Sequence, residues 1–340
     1  MSAETPALSV IVATLDEQQH IESFLDGILD QDLDLPYEVL VVDGGSTDAT
    51  RELVQARAAR SPQVRLLDNP RRRTPFAFNI GLAEARGSLV AILGAHTRYP
   101  RNYLSSCVRV VDAGPGPTAC GGLVRTVPAG ESLDARLACA VMGSSFASSS
   151  QSFRTQRGGE VESIPYPVYR LADVRAVGGF DERLERNQDN DLSHRLRERG
   201  VRLMVTDETS CDYAARSGVR SLLRYAAFTG EWNGRTVRMG LSVMKPRHFA
   251  PGAFVVALAV ALLVGSTGRH PLARLARFGA AAVLLTHLGL GTRSALREDD
   301  GVLRGPERLL LAPAVLAFHL AYGVGNLRGL AAAPPTSERD

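Results

Sequence analysis

Residues 37–48 read Tyr-Glu-Val-Leu-Val-Val-Asp-Gly-Gly-Ser-Thr-Asp, an apolar segment that ends in a carboxylate and a glycine turn. The run 37–42 is typical of a buried parallel strand, and a helical pattern begins at about Asp48. Similar apolar runs lie at 8–13, 64–67 and 88–93, and each is followed by a helical segment. This alternation predicts an α/β fold with a mostly parallel, Rossmann-like sheet and helices on both faces.

Polar residues stand at the carboxyl ends of the predicted strands. Thr14, Asp43 and His96 each lie at or just past such an end. Ligands of open α/β sheets bind beyond these ends, so we expect the three side chains to converge on one crevice. Walker and dinucleotide motifs are excluded, because neither Gly-Lys-Ser/Thr nor G-x-G-x-x-G is present there. Taken alone, Asp43 is equally well explained as an Asx-turn that caps the next helix.

Residues 187–200 read Asn-Gln-Asp-Asn-Asp-Leu-Ser-His-Arg-Leu-Arg-Glu-Arg-Gly and place two carboxylates in the first turn of a predicted helix. A carboxylate at a helix N-terminus is stabilised by the dipole and by free N–H groups. We therefore expect Asp189 to stay ionised and to be able to act as a general base. The alternative for this stretch alone is a pair of capping acids on a surface helix.

Two further features suit a diphosphate and its cation. Arg71, Arg72 and Arg73 follow the third strand, and guanidinium groups bind phosphate well. A neutral imidazole at His96 is a suitable ligand for Mn²⁺ or Mg²⁺. A solvated basic turn and a structural histidine are the alternatives for these residues considered one at a time.

Composition narrows the class of protein. The 340 residues are 45% hydrophobic and carry a net charge of only +3, which gives no electrostatic case for nucleic acid. The four cysteines are widely spaced and form no C-x-x-C pair, so they suggest neither a zinc ribbon nor a disulfide framework: Cys107, Cys120, Cys139 and Cys211. The N-terminus lacks the pattern of a signal peptide, so we expect the first domain in the cytoplasm.

Three apolar runs follow residue 248. With their flanks, 249–266, 272–291 and 308–327 each approach the length of about 20 residues that spans a bilayer. Basic residues before the first run favour a cytoplasmic start for it. A soluble helical bundle is the alternative, and the second run would also suit an interfacial helix. The predicted organisation is a domain at 1–235, a basic linker at 236–248, a membrane region at 249–330 and a disordered tail at 331–340, with a mobile loop at 144–160.

Taken together, five motifs resemble family 2 glycosyltransferases of the GT-A fold. They lie at residues 9–17, 42–48, 79–87, 178–181 and 188–192, and the resemblance covers about residues 7–235. Residues 187–191, 96–100 and the apolar tail look most like the succinoglycan-type exopolysaccharide branch of that family.

The resemblance implies a role for each matching residue. The nucleotide-sugar site would comprise Thr14, Asp16, Glu17, Asp43, Ser46, Arg71, Arg73, Asn79, Gly94 and Ala95. Asp43 would recognise the base. Asp189 would deprotonate an acceptor hydroxyl, which attacks the anomeric carbon opposite the leaving nucleoside diphosphate and inverts it. The residues that would close over donor or acceptor are Gln188, Asp191, Arg216 and Trp232.

The chain departs from the family at the metal-binding D-x-D motif, which aligns with residues 94–96. Glycine replaces the first acid and His96 replaces the second. The resemblance implies that His96 binds Mn²⁺ or Mg²⁺ together with diphosphate oxygens and water. The departure puts metal dependence in question, and the arginines at 71–73 would partly substitute for the ion.

The expected protein is a multi-pass cell-membrane enzyme with a cytoplasmic catalytic domain. It would move a sugar from a nucleotide-sugar to a lipid-linked or polysaccharide acceptor, without nucleic acid. One alternative, favoured by Gly94, is a catalytically weak membrane-anchored binding or assembly subunit. A nucleotidyltransferase is disfavoured, because the segment 14–17 is acidic and free of glycine.

Overall fold

The computed structural model of the chain describes residues 5–147, 158–297 and 301–333. These residues form two compact units. The sheet unit comprises residues 5–125 and 158–213, and the helical unit comprises residues 126–147, 214–297 and 301–333. This division groups residues 214–235 with the C-terminal helices, whereas the sequence placed a boundary at 235. Most of the loop predicted to be mobile, and residues 334–340 of the predicted tail, lie outside the described residues.

The first four strands alternate with helices, as the sequence predicts. They are β1 Leu8–Thr14, β2 Tyr37–Asp43, β3 Val64–Asp68, β4 Leu89–Gly94, β5 Thr97–Arg98, β6 Thr118–Val127, β7 Gly159–Glu160, β8 Val168–Arg170 and β9 Arg202–Ala214. The helices are α1 Ile21–Leu29, α2 Thr50–Ala58, α3 Thr74–Glu84, α4 Tyr103–Ala113, α5 Leu133–Gly143, α6 Leu171–Ala176, α7 Gln188–Glu198, α8 Val219–Arg238, α9 Ala250–Ser266, α10 Pro271–Arg297 and α11 Leu311–Ala331.

The strands form one mixed sheet in the order β3-β2-β1-β4-β8-β6-β9-β5, with β7 paired to β9. Pairing is parallel among β1, β2, β3 and β4. Beyond β4 it is antiparallel, as in the β4–β8 and β5–β9 pairs. The prediction of a mostly parallel sheet therefore holds only for the first half. A short apolar run suits either direction of pairing, so the pattern gave no sign of the change.

Helices cover the central strands on both faces, which explains their unbroken apolar sequence. Val39, Leu40, Val41 and Val42 are all inaccessible to solvent. Leu40 and Val42 belong to a core cluster that also contains Leu192 and Leu196 of α7. The packing of these two leucines seats α7, with Asp189 in its first turn, on the sheet.

The predicted long apolar helices are confirmed, and within the described residues three are long and apolar enough to cross a membrane. They are Pro246–Ser266, Pro271–Arg297 and Gly305–Ala331, with mean hydropathies of 2.2, 1.3 and 1.5. Leu263 and Phe278 are 70% and 72% exposed. Large apolar side chains exposed along whole helices are characteristic of surfaces that face lipid.

Glycines bring α8 and α11 into close contact inside the helical unit. A Cβ at Gly230 of α8 would collide with the Tyr322 carbonyl, and one at Gly325 of α11 with the Ala227 carbonyl. The buried Asn326 donates from Nδ2 to the Gly230 carbonyl across the crossing, at 3.1 Å. Small residues allow helix backbones to approach this closely in membranes.

Gly325→Ala tests the crossing. The added methyl group would force α8 and α11 apart, at a cost of about 1–3 kcal/mol. We expect a lower midpoint of thermal unfolding for the protein in detergent. Gly289→Ala is the matched control, because no described atom lies within 4 Å of the Cβ it adds to α10. Equal midpoints for the two variants would contradict the close crossing.

Candidate functional site

The end of β2 is organised by the Asp43 carboxylate, which is inaccessible to solvent. Its Oδ1 accepts hydrogen bonds from the Gly45 and Ser46 N–H groups and from Arg51, and its Oδ2 accepts from the Thr14 and Ser46 hydroxyls, at 2.5–3.2 Å. Burial disfavours ionisation, but the bonds from Ser46, Arg51 and Thr14 outweigh it and hold the pKa of Asp43 below its ordinary value. The carboxylate thus joins the ends of β1 and β2.

The neighbouring loops are bonded directly to each other. The Asp16 N–H donates to the Ser46 hydroxyl at 2.9 Å, and the Thr47 N–H donates to the Asp16 carboxylate at 2.8 Å. Asp16 adopts the left-handed region, with φ 56°. Asp16, Asp43 and Ser46, predicted to contact the nucleotide, are therefore brought together as expected. Their observed partners are protein groups, and nucleotide contact remains a prediction.

Glu17 and His96 face each other at the ends of β1 and β4. The Glu17 Oε1 and His96 Nδ1 atoms are 3.4 Å apart. The position of the first family acid is tight, because a Cβ at Gly94 would lie 3.1 Å from the Tyr166 ring and the ring would have to shift slightly. Ala95 is buried beside it. No group of three or more His, Cys, Asp or Glu suited to a metal occurs in the described part of the chain.

The basic turn at residues 71–73 lies beside the Asp43 loop. A Cβ at Gly44 would be 3.1 Å from the Arg72 carbonyl oxygen, so the two backbones nearly touch. The Arg71 and Arg73 guanidinium groups each lie 5.3 Å from the centre of the Phe76 ring. The backbone of the arginine turn therefore lies next to the end of β2. Phosphate binding by these arginines remains a prediction.

Asp189 lies in the first turn of α7 and is exposed to solvent. Desolvation raises the pKa of Asp189 above its ordinary value, although the Asn190 and Asp189 N–H groups and the Arg186 charge oppose it. The N-terminal donors favour the ionised form and oppose this shift, and the role of Asp189 as an ionised base remains a prediction.

The turn before α7 is held by two polar side chains. Arg195 binds the nearly buried Asp191 through Nε and Nη2 at 2.9 and 2.7 Å, and donates to the Val177 and Gly179 carbonyls at 2.6 and 2.8 Å. Asn79 of α3 accepts from the Phe180 N–H at 2.8 Å and donates to its carbonyl at 2.9 Å. Asn79 and Asp191, predicted to contact donor or acceptor, are engaged in positioning α7.

The remaining predicted closure residues are Gln188 of the sheet unit and two residues of the helical unit. The Gln188 Oε1 atom is buried and has no hydrogen-bond partner in the described chain. Arg216 and Trp232 belong to the helical unit. The Arg216 guanidinium lies 4.7 Å from the centre of the Tyr225 ring, and Trp232 is buried. Closure over donor or acceptor remains a prediction for all three.

Sequence reasoning missed Arg51, Arg195 and Tyr166. Arg51 bridges Asp43 and Asp68 at 2.9 and 2.8 Å. Arg195 could have been found from its i, i+4 spacing to Asp191, which is typical of an ion pair on a helix. Tyr166 adopts a left-handed φ of 48°, and no sequence signal marked it.

Arg195→Ala tests the turn before α7. The change leaves the Asp191 carboxylate buried without its cation, so we expect a loss of about 3–5 kcal/mol in the free energy of unfolding. Thermal unfolding in detergent measures it. Asp191→Ala combined with Arg195→Ala should cost less than the sum of the single changes. Arg199→Ala, exposed where the same helix ends, is the control, and a loss of equal size there would contradict the assignment.

Comparisons with known proteins agree with this geometry. The profile of Glycosyl transferase family 2 matches residues 9–162. The succinoglycan biosynthesis protein ExoA of Rhizobium meliloti (strain 1021) is 30% identical over 333 residues, which cover 94% of each chain. A relative from Methanococcus voltae is 24% identical over 68% of this chain and 74% of its own. Its name is dolichyl N-acetyl-alpha-D-glucosaminyl phosphate 3-beta-D-2,3-diacetamido-2,3-dideoxy-beta-D-glucuronosyltransferase.

A solved structure agrees with the fold. The mannosyltransferase PcManGT from Pyrobaculum calidifontis, in complex with GDP-Man and Mn²⁺, superposes with a TM-score of 0.61 at 23% identity, over 95% of this chain and 88% of its own. At this identity the likeness concerns the fold alone. The expected GT-A architecture is thereby confirmed, and the near full-length similarity to ExoA establishes the family. The chain belongs to glycosyl transferase family 2 and is a glycosyltransferase.

Proposed function

We propose that the protein is an inverting glycosyltransferase that moves a sugar from a nucleotide-diphosphate sugar to a lipid-linked or polysaccharide acceptor at the cytoplasmic face of the membrane. The observation that carries the proposal is the environment of Asp189. Its carboxyl group is exposed to solvent, and desolvation raises its pKa. Arg195 and Asn79 hold the turn before its helix. Similarity to a succinoglycan biosynthesis protein over 94% of the chain supports the substrate class.

Asp189 is the general base of the proposed reaction. Its carboxylate takes the proton of an acceptor hydroxyl while that oxygen bonds to the anomeric carbon. The bond to the nucleoside diphosphate breaks on the opposite face, so the configuration inverts. A raised pKa makes the carboxylate a stronger base than an ordinary aspartate, which suits proton transfer near neutral pH.

The donor would bind at the ends of β1, β2 and β4. Ser46 and Thr14 lie in the loops that Asp43 joins, and Arg71 and Arg73 flank them in the basic turn. Positive charge at this place would stabilise the leaving diphosphate. Mn²⁺ or Mg²⁺ held by Glu17 and His96 would supply further positive charge there, and the Mn²⁺ in the PcManGT complex supports such a cofactor.

Three apolar helices support a multi-pass membrane protein. Lys245 and Arg247 lie just before α9, at the start of the first apolar segment, which favours a cytoplasmic sheet unit by the positive-inside rule. The name of the relative from Methanococcus voltae includes a dolichyl phosphate acceptor, which supports a lipid-linked acceptor for this chain.

A second candidate function is a membrane-anchored nucleotide-sugar-binding or assembly subunit with weak activity. The observation that favours it is Gly94, which stands at the position of the first family acid and lies close to the Tyr166 ring. Nucleoside diphosphate release separates the candidates. Protein in detergent, supplied with a panel of nucleotide-sugars and a membrane lipid extract, should release nucleoside diphosphate from one donor. Donor binding without release would favour the second candidate.

Asp189→Asn should lower kcat by about 100-fold or more, because general-base catalysis contributes about 10²–10⁴-fold. Nucleotide binding should persist, since the asparagine keeps the shape of the site. The folded state raises the pKa of Asp189, so the ionised form destabilises the fold, and the variant should keep or raise the unfolding midpoint. Glu198→Gln, exposed on the same helix, is the control. Full transfer by Asp189→Asn would eliminate the assignment.

The pH profile provides a separate check. When the pKa of the general base is raised, the enzyme loses activity in acid at a pH above the ordinary aspartate pKa of about 3.9. We expect kcat/KM to fall with protonation of one group, with a midpoint above that value. Unfolding midpoints over the same pH range separate this loss from acid denaturation. The residual activity of the Asp189→Asn variant should not show this fall in acid. The same fall in the variant would indicate that another group is the base.

A further inference from the structure

Helices α9 and α10 run in opposite directions against each other. The Phe254 ring, early in α9, stacks on the His287 ring, in the second half of α10, with centres 5.4 Å apart. Where α9 ends, a Cβ at Gly265 would lie 2.8 Å from the Arg277 Cγ atom, near the start of α10. The two helices therefore form a hairpin. Its tip is the loop 267–270, and its open end holds the start of α9 and the end of α10.

The protein covers the three apolar helices to different extents. In the most apolar stretches of Pro246–Ser266 and Pro271–Arg297 only 11% of the residues are buried, whereas the share in Gly305–Ala331 is 44%. A helix that is apolar on all sides is either a membrane span or buried in protein. The hairpin fits the first case, and α11 is covered by other helices to a much larger extent.

The first half of α11 lies at the open end of the hairpin. A Cβ at Gly291, in the last turns of α10, would lie 3.0 Å from the Ala312 Cα atom. Just before α11, Glu307 forms an ion pair with Arg136 of α5. A helix that crossed the bilayer from this point would place its second half towards the tip of the hairpin.

The second half of α11 lies at the open end as well. A Cβ at Gly323 would collide with the Pro251 carbonyl, and one at Gly252 would lie 3.1 Å from the Asn326 Cβ atom. Pro251 and Gly252 belong to the first turn of α9. Both halves of α11 therefore remain on the side of the membrane from which α9 enters.

Helix α8 accompanies the second half of α11. Gly325 packs on the Ala227 carbonyl and Gly329 on the Glu231 carbonyl, so the two helices run parallel. Three arginines of α8 are exposed: Arg220, Arg224 and Arg238. Such charges are costly inside a bilayer but are attracted to anionic headgroups at its surface. The surface of the membrane therefore suits α8, and with it the helix that α8 accompanies.

We propose that α11 does not cross the membrane. Only α9 and α10 cross it, and α11 lies beside α8 at the lipid headgroup surface from which α9 enters. With two crossings the chain returns to the side on which it entered. Ser242, before the hairpin, and Ala333, after α11, are then on one side, and the loop 267–270 is on the other. Neither crossing requires sugar transfer, so this topology is independent of the proposed function.

Labelling of single introduced cysteines in the full-length protein tests the topology. Ser242→Cys, Arg269→Cys and Ala333→Cys replace exposed residues. The four native cysteines are buried, so the unchanged protein gives the background. A maleimide that cannot cross membranes is added to right-side-out and to inside-out vesicles. We expect Ser242→Cys and Ala333→Cys to react at least tenfold faster in one preparation, and Arg269→Cys at least tenfold faster in the other.

An epitope appended after Asp340 gives a second readout of the same topology. A protease added outside should remove it only from the vesicles in which Ser242→Cys reacts. Reaction of Ala333→Cys together with Arg269→Cys, or removal of the epitope from the opposite vesicles, would show that α11 crosses and would overturn the proposal. Reaction of all three cysteines in one preparation would show that the hairpin does not cross, which also overturns it.

The depth of α11 is measured with nitroxide labels. Val324 of α11 and Leu263 of α9 are 37% and 70% exposed. A label at Val324→Cys should report a shallow position near the headgroups, and one at Leu263→Cys a deep position among the acyl chains. Equal depths for the two labels, or a label at Val324→Cys that has no contact with lipid, would overturn the placement of α11 at the surface.

Discussion

The buried Asp43 carboxylate is the interaction on which the strand ends depend. An ionised group without access to water is stable only when donors surround it, and here the N–H groups, hydroxyls and guanidinium of the two adjoining loops are those donors. Arg51 extends the arrangement to Asp68 at the end of β3. The Asn69 N–H donates to the Asp43 carbonyl at 2.8 Å, which brings the basic turn to the same place. One buried charge thereby sets the relative positions of three loops.

Two aspartates in the sheet unit have opposite environments, and this separates structure from chemistry. Donors outweigh burial at Asp43 and lower its pKa, whereas desolvation dominates at Asp189 and raises its pKa. A carboxylate that accepts many hydrogen bonds from protein groups is a weak base and suits a structural role. One that has few donors and is reachable from solvent suits proton transfer. Environment, more than residue type, therefore suits the two groups to different roles.

The sequence was sufficient for the order of motifs, the first half of the sheet, the apolar helices and the placement of Asp189 at a helix start. It was insufficient to tell whether a polar side chain binds a ligand or forms a hydrogen bond to a residue far away in the chain. Asn79 bonds to Phe180, 101 residues away, and no local pattern indicates that pairing. Asp43 appeared equally suited to recognition of a nucleotide base and to a turn. Its five internal donors show the turn, and base recognition remains a prediction. The antiparallel half of the sheet was missed because apolar runs carry no direction.

The crossing of α8 and α11 links the packing of the helical unit to the order of synthesis. Asn326 and Gly230, which bond across it, are 96 residues apart in the chain. At a translation rate of about 5–20 residues per second, α8 leaves the ribosome roughly 5–20 s before its partner does. Through that interval the glycine-lined side of α8 has no helix to pack against. A chain that stopped before α11 would keep this surface open, so the crossing can close only after α11 has been synthesised.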